Sequence, residues 1–168
     1  IINAFISTIH GYTTSNRLSD VVGEGFRKNR AAGENIVPRL TQSAKVIEHA
    51  IPTLKGKIAS SSMNVPVPDG SILDLTIHFN RDVSVENINS FLESATQKQL
   101  TGHIDFTKDP IVSSDVVGSH YSGIIDSLAT IGAGRNKIKL LIWFDNGWGY
   151  SSQILNLIKK ISDMEKYE

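Results

Sequence analysis

The stretch KIKLLIWFDNGWGYSSQ, residues 137–153, decides the fold because it joins a strand pattern directly to a helix pattern. Apolar residues alternate over residues 138–143, which is typical of a strand with at least one buried face. Residues 145–147 (DNG) break the run, and helical spacing resumes over residues 151–160. We expect this turn to face a ligand, because a strand-to-helix junction offers side chains and free backbone N–H groups. Periodicity alone favours a plainer interpretation, with both tryptophans in the core and Asn146 as a helix cap.

Composition restricts the class of protein and its partners. One domain fits 168 residues, and that length is enough to bury a core. Seventeen basic and seventeen acidic residues cancel, and no basic run is long enough to indicate a nucleic-acid or membrane surface. There is no cysteine, which excludes a disulfide, a thiolate metal site and a cysteine nucleophile within this chain, and we expect no metal. Without a membrane span or signal peptide, we expect a cytoplasmic protein, and one cut from a longer chain because it opens directly on a strand pattern.

Strand and helix patterns follow one another without the regular alternation of a doubly wound parallel sheet. Strand patterns cover residues 1–12, 57–67, 72–79, 103–106, 123–131 and 137–144, and helix patterns cover residues 41–50, 85–95 and 151–160. Thr41 and Ser84 are the expected caps of the first two helices. The turn signal at residues 66–70 predicts two antiparallel strands joined by that turn. Together these patterns predict an α+β fold, with a mixed, largely antiparallel sheet covered by helices on one face; the other face is polar or covered from outside this chain.

A basic segment and a glycine pair bear on ligands. Residues 16–34 hold three glycines and four basic residues without periodicity, which predicts an extended, functional loop. Its charges suit an anion or the acidic groups of another subunit, and a solvated basic loop is an equal alternative. Residues 132–134 (GAG) are followed by another strand pattern and not by a helix. We therefore expect no dinucleotide-binding fold within this chain.

Five collinear segments resemble the C-terminal catalytic domain of phosphorylating glyceraldehyde-3-phosphate dehydrogenase. They are HGYT at 10–13, RAAGENIVP at 30–38, VPVP at 65–68 with DLT at 74–76, DPIVSSD at 109–115 and WFDNGWGYS at 143–151. The erythrose-4-phosphate enzyme, a relative, shares much of this pattern. The resemblance implies one catalytic domain over residues 1–168, with an S-loop at about 13–34 and an N-terminal NAD-binding domain that is absent from the chain.

The resemblance also implies a reaction. In this family of glycolytic oxidoreductases, a cysteine attacks glyceraldehyde 3-phosphate, hydride passes to NAD or NADP, and inorganic phosphate releases 1,3-bisphosphoglycerate. The cysteine and the nucleotide-binding half would both lie upstream, so we expect the isolated chain to be inactive and to bind no NAD. The S-loop lies against the cofactor pocket of a neighbouring subunit in this family, which implies a tetramer.

Five residues match functional positions of the family. His10 matches the catalytic histidine, which activates the thiol and acts as acid and base. Thr13 matches a hydroxyl that binds the C3 phosphate of the substrate, and Thr41 matches one that binds inorganic phosphate. Asn146 matches the residue that hydrogen-bonds the nicotinamide carboxamide, and Tyr150 matches the ring beside the nicotinamide. From residue type alone, a structural histidine would be the better interpretation of His10.

Both anion sites depart from the family pattern, in which arginines grip phosphate with a bidentate fork. Lys28 stands at the inorganic-phosphate site, so the charge is kept without the fork. Asn64 replaces the arginine of the substrate-phosphate site, so we expect that charge to be gone. Gln42 replaces a glycine and Gln153 an arginine. Losing a charged hydrogen bond costs about 1.5–3 kcal/mol, on the order of 10- to 150-fold in affinity, which predicts poor turnover of a triose phosphate.

Two alternatives to a fragment of this enzyme stay open. One is a catalytically degenerate assembly or interaction module of the same fold, which Lys28, Gln42 and Asn64 favour. The other is a related aldehyde dehydrogenase with a different substrate, in which Asn64 marks a site that no longer receives phosphate. A His10 ring sealed in hydrocarbon, far from Thr13 and Asn146, would exclude the catalytic interpretation.

Overall fold

A seven-stranded sheet organises the computed structural model, which describes residues 1–165. The strands are β1 (Asn3–Gly11), β2 (Val37–Arg39), β3 (Ile58–Val65), β4 (Ser71–His78), β5 (Ile104–Thr107), β6 (Gly123–Ala133) and β7 (Lys137–Phe144). The helices are α1 (Ser43–Ala50), α2 (Val85–Thr96) and α3 (Trp148–Glu165), with short 3-10 turns at Pro52–Leu54 and Ser113–Val116. Among residues 1–165, no helix is both long and apolar enough to cross a membrane.

The sheet is mixed and mainly antiparallel. Its strand order is β2-β3-β1-β4-β7-β6-β5. Strand β1 runs parallel to β3, and β5 runs parallel to β6, whereas the other neighbouring pairs are antiparallel. Helix α1 lies over β3, where Ala44 donates its N–H to Ser60 Oγ at 3.2 Å. Helix α2 lies over β6, where Thr130 Oγ1 donates to Asn89 Oδ1 at 2.8 Å. The predicted fold class is confirmed.

Strands β3 and β4 run antiparallel and are joined at residues 66–70, as predicted, but they do not pair with each other because β1 lies between them. Ala4 of β1 pairs with Ile58 of β3 on one side and with Ile77 of β4 on the other. The connection at residues 66–70 therefore spans two inter-strand spacings, about 10 Å, instead of closing a tight turn. It passes over the end of β1, where Tyr12 donates its N–H to the Val67 carbonyl at 3.0 Å.

Side chains alternate between a covered and an open face of the sheet. In β1, Ala4 and Ile6 are 5% exposed, whereas Phe5 between them is 60% exposed. His10 has the same parity as Ala4 and Ile6, so it belongs to the covered face, at the end of the strand. The open face carries polar pairs as well as apolar side chains; Ser7 Oγ, for example, shares a 2.8 Å hydrogen bond with the hydroxyl of its neighbour on β3.

The helix ends agree with the sequence only in part. Ser84 caps α2 as predicted, since its hydroxyl accepts the N–H of Asn87 at 3.2 Å. Helix α1 begins at Ser43, and its N-cap position is Gln42, whose side chain makes no capping hydrogen bond. Thr41 lies one residue earlier and accepts the Ser43 N–H at 3.2 Å, so it supports the helix start from outside the cap position.

Candidate active site

One carboxylate builds the turn between β7 and α3. Asp145 is 2% exposed, and its Oδ1 accepts the N–H groups of Gly147 at 2.7 Å and Trp148 at 2.8 Å. Its Oδ2 accepts the N–H of Gly118 at 2.8 Å. The plainer interpretation of this turn is therefore wrong on two points. The N–H groups at the helix start are bound by Asp145, three residues before α3 begins, and not by Asn146, and Trp148 is 63% exposed. Since capping uses Asp145, the exposed amide of Asn146 stays available for other partners.

His10 lies next to this turn. Its side chain hydrogen-bonds with that of Asn146, and its ring meets the ring of Phe144 edge-on, with centroids 5.7 Å apart. Burial lowers the pKa of His10 below its usual value, the Asn146 hydrogen bond acts in the opposite direction, and the charge of Arg39 lowers the pKa further. The imidazole is only partly buried and is mainly neutral at neutral pH, so one ring nitrogen can accept a proton.

A shallow cleft opens beside this histidine. Phe144, Asn146 and Tyr150 line it, together with the partly buried side chain of Gln153. Tyr150 is 70% exposed, so its ring presents a free face. The structure thus brings His10, Asn146 and Tyr150 to one end of the sheet, where sequence reasoning put them together.

Asn64 is adjacent to His10, and both the nitrogen and the oxygen of its side-chain amide are hydrogen-bonded. It pairs with His10 in the β1–β3 register and is 5% exposed. Its Nδ2 donates to the Gly11 carbonyl at 2.9 Å. Its Oδ1 accepts a hydrogen bond from Arg39 Nη1 at 3.3 Å. The side chain of residue 64 carries no charge, as expected, but the guanidinium of Arg39 lies next to it, reaching Asn64 from β2.

Arg39 also lines a basic cleft of about 790 Å³. Arg27 and Lys28 line the same cleft, with Ser15 and Asn16 at its edge. Thr13 does not line the cleft, but it is hydrogen-bonded to two residues that do. Its hydroxyl shares a 2.9 Å hydrogen bond with the Ser15 hydroxyl and donates to Asn16 Oδ1 at 3.2 Å. Hydroxyl, amide and cationic groups are thus gathered around one volume.

The loop that carries Arg27 and Lys28 closes on itself. Residues 12–36 contain no strand or helix, in agreement with the predicted loop. Asp20 holds the loop together by accepting the N–H of Ala31 at 2.7 Å and pairing with Arg30 Nε at 3.0 Å. The Ala31 hydrogen bond, helped by Arg30, lowers the pKa of Asp20.

Two predicted phosphate ligands stay apart from this cleft. Thr41 bonds its hydroxyl to Ser43 Oγ at 2.7 Å, and the side chain of Gln42 is exposed at the start of α1. Neither side chain is among those that line the basic cleft. The structure therefore groups Lys28 with Arg39, and it does not group Lys28 with Thr41 or Gln42.

Sequence reasoning missed Phe144 and Arg39, and it placed Asp145 at the turn without identifying it as the group that binds the N–H groups of the helix start. Asp145 carried a usable signal, since an aspartate two and three residues before free N–H groups is a typical cap. Phe144 could have been inferred from its position at the end of β7. Arg39 carried no signal of its own, because its partner Asn64 is 25 residues away and only strand register brings the two together.

The fold and site define an α+β domain with a seven-stranded mixed sheet, a partly buried histidine at one sheet end and a basic cleft nearby. More narrowly, the chain belongs to the family described as glyceraldehyde 3-phosphate dehydrogenase, C-terminal domain, whose sequence model matches residues 1–146. This confirms the resemblance recognised in the sequence.

Individual relatives agree with the family assignment. The chain is 41% identical over 157 residues to glyceraldehyde-3-phosphate dehydrogenase 2 of Streptomyces avermitilis, covering 94% of the chain and 47% of that relative. It is 42% identical over 158 residues to glyceraldehyde-3-phosphate dehydrogenase of Borreliella burgdorferi, covering 93% and 47%. Glyceraldehyde-3-phosphate dehydrogenase 2 of Bacillus subtilis is 34% identical over 165 residues, covering 98% and 48%. The chain therefore spans about half the length of these relatives.

Proposed function

We propose that this chain is the substrate-binding half of an NAD(P)-dependent, phosphorylating aldehyde dehydrogenase of glycolysis, which converts glyceraldehyde 3-phosphate to 1,3-bisphosphoglycerate. The observation that carries the proposal is the position of His10, a partly buried imidazole next to Phe144 and Asn146 and paired in register with Asn64, which binds Arg39 of the basic cleft. The 168 residues contain no cysteine, so the nucleophilic thiol has to come from a partner half that also binds the dinucleotide.

His10 would move one proton through the reaction. As a neutral base it takes the proton of the attacking thiol and returns it to the aldehyde oxygen as the carbon–sulfur bond forms. The imidazole then removes that hydroxyl proton while hydride leaves the carbon. Inorganic phosphate finally attacks the acyl carbon as the carbon–sulfur bond breaks, and the departing thiolate recovers the proton held by the imidazolium. Each step needs a group that can take up and release a proton, and a partly buried, neutral imidazole is suited to that task.

The described residues fit only one end of NAD, whose nicotinamide supplies the hydride acceptor when the cofactor is bound. The exposed amide of Asn146 has the donor and acceptor groups that a carboxamide needs, and the exposed ring of Tyr150 can pack beside a nicotinamide. Of the glycine pair at residues 132–134, Gly132 lies in β6 and Gly134 in the β6–β7 turn, which is followed by a strand, so the pair offers no helix N-terminus to a pyrophosphate. The rest of the dinucleotide would be bound by the partner half.

The anion ligands and the assembly are also part of the proposal. Thr13 and Asn64 would bind the C3 phosphate, whereas Thr41 and Gln42 would bind inorganic phosphate. Lys28, which lines the basic cleft with Arg39, would have to move toward Thr41 and Gln42 to join them. Residues 13–34 would form an S-loop against a neighbouring subunit in a cytoplasmic tetramer. Support for that contact comes from exposed apolar side chains on the loop; Val22 and Phe26, for example, are almost fully exposed.

A fusion tests the function. The chain, joined behind the N-terminal half of the Streptomyces avermitilis relative, is expected to form NADH from glyceraldehyde 3-phosphate, NAD and phosphate. The His10→Gln variant of the fusion is expected to lose about 100- to 10,000-fold in kcat, the usual contribution of an acid–base group. A fusion that unfolds cooperatively and binds NAD, yet forms no NADH, would overturn the proposal. The unmodified relative serves as the positive control.

A further inference from the structure

Three cations in the basic cleft have no acidic partner among the described residues. The ion pairs of residues 1–165 use other cations, namely Arg30, Lys108, Arg135 and Lys139. Arg27, Lys28 and Arg39 instead share one cleft whose other polar groups are Ser15 and Asn16. Like charges repel when they are gathered without counter-charge, so this arrangement is stabilised when an anion enters.

The register of the strands places Arg39 on the same face of the sheet as His10. Val37 of β2 pairs with Asn64, and Arg39 pairs with Ser62, so Arg39 projects from the same face of the sheet as Asn64 and His10. The guanidinium reaches diagonally across the strands to Asn64 Oδ1 at 3.3 Å. The positive charge of Arg39 lowers the pKa of the His10 ring. Arg39 therefore lies between the basic cleft and the candidate acid–base group.

Asn64 holds the guanidinium in place without neutralising it. The Asn64 side chain is nine-tenths buried, and its Nδ2 is committed to the Gly11 carbonyl at 2.9 Å, which fixes the direction of Oδ1. That oxygen uses one N–H of Arg39 and leaves the other donors of the planar fork free. An amide oxygen adds no charge, so the pinned guanidinium keeps its full attraction for a phosphate.

We propose that Arg39 binds the phosphoryl group of the aldehyde substrate, supplying from β2 the guanidinium that the family pattern supplies from residue 64 of β3. The ligand class is a small aldehyde bearing a phosphate monoester, and the proposal rests on the proposed function. Arg39 is then a specificity-determining residue: the ester dianion anchors the substrate at the guanidinium, which directs the aldehyde toward His10. Inorganic phosphate has the same tetrahedral chemistry, and the test below distinguishes it from the ester.

The test compares phosphorylated and unphosphorylated substrate in the fusion described above. The measured quantity is the ratio of kcat/KM for glyceraldehyde 3-phosphate to kcat/KM for glyceraldehyde. In Arg39→Thr this ratio is expected to fall about 10- to 150-fold, as for the loss of a charged hydrogen bond. Arg39→Lys keeps the charge but not the fork, so its ratio should lie between those of the wild type and R39T. Arg81→Thr removes an exposed arginine outside the cleft and is the matched control, expected to keep the ratio.

A variant that moves the arginine from β2 to β3 provides a second test. The double variant R39T/N64R returns the guanidinium to β3, and it is expected to recover most of the ratio lost in R39T. The KM for inorganic phosphate should stay at the wild-type value in R39T. A second readout is the pH profile with glyceraldehyde, whose acidic limb should move to higher pH in R39T because a neighbouring positive charge has been removed from His10.

The outcomes separate this inference from the proposed function. If the fusion oxidises both aldehydes and R39T leaves the ratio as in R81T, Arg39 does not bind the ester and the inference is wrong. If R39T raises the KM for inorganic phosphate and leaves the ratio intact, the guanidinium serves the attacking phosphate, which also overturns it. If the folded, NAD-binding fusion oxidises neither aldehyde, the proposed function fails, and the inference fails with it.

Discussion

Replacing Asp145 by asparagine tests whether a single carboxylate holds the strand-to-helix turn. Its oxygens accept three backbone N–H groups, from Gly118, Gly147 and Trp148, at 2.7–2.8 Å, and the side chain is 2% exposed. In D145N one of these oxygens becomes an NH2 group, which cannot accept a hydrogen bond. At least one charge-assisted hydrogen bond is lost, and a buried donor then faces another donor.

The expected cost is about 1.5–3 kcal/mol in the free energy of unfolding, the range for a hydrogen bond to a charged group. For a domain of this size, that cost lowers the Tm by roughly 3–12 °C. Urea unfolding followed by circular dichroism should show a lower midpoint at an unchanged m value. Asp109→Asn is the matched control: it removes an exposed carboxylate and is expected to stay within about 0.5 kcal/mol of the wild type.

The same substitution should disturb the site, because the turn sets the position of Asn146 relative to His10. In the fusion, D145N is therefore expected to lower kcat for glyceraldehyde 3-phosphate while D109N does not. Equal stability of D145N and D109N would refute the reasoning, since the turn would then be held by backbone geometry and not by the carboxylate.

Three further predictions concern the neighbouring elements. The pKa of His10 is lowered from 6.5 in the folded protein, so the unfolded chain binds a proton at a higher pH than the folded one. The free energy of unfolding should therefore fall as the pH drops below 6.5, and it should fall less in H10Q. Urea titration at several pH values measures both. Gly11→Ala would put a Cβ 2.7 Å from the Val67 carbonyl oxygen, and the strain should cost about 1–3 kcal/mol in the same assay. Asp20→Asn should speed proteolytic cutting within residues 12–36, because it weakens the hydrogen bond that closes the loop. Lowering the pH should have the same effect on the wild type. The hydrogen bond from Ala31 to the Asp20 carboxylate is intact at pH values above the ordinary pKa of a carboxyl, and it is lost as the pH falls through the lowered pKa of Asp20.

The local sequence pattern predicted the features that depend on residues close together in the chain, namely strand bounds and a helix cap. Alternation gave the bounds of β7 to the residue, and the serine before α2 identified its cap, because both features are set by sequence periodicity and capping chemistry. The order of the strands does not depend on local pattern. The insertion of β1 between β3 and β4 depends on parallel pairing across some 54 residues, from Ala4 to Ile58, which no turn signal encodes.

The candidate site divides in the same way. His10, Asn146 and Tyr150 could be named from the sequence because each lies within or next to a recognisable strand end. The plainer interpretation of the turn failed because Asp145 and Asn146 are chemically alike as caps, and only the buried geometry decides which of them turns toward the N–H groups. Arg39 could not be named, since its place in the site depends on the antiparallel register of a three-residue strand.

Sheet geometry explains why the charge could move between strands while its position stayed the same. Neighbouring strands lie about 4.7–4.9 Å apart, and an extended arginine side chain is longer than this spacing. An arginine on β2 can therefore reach the point that an arginine on β3 would occupy, provided that both project from the same face. Comparing residue 64 alone indicates a lost cation, whereas the β2–β3 register, with Arg39 at the Asn64 amide, indicates a relocated one. The case for a degenerate module relied on Lys28, Gln42 and Asn64, so the register weakens the part of that case that depends on Asn64.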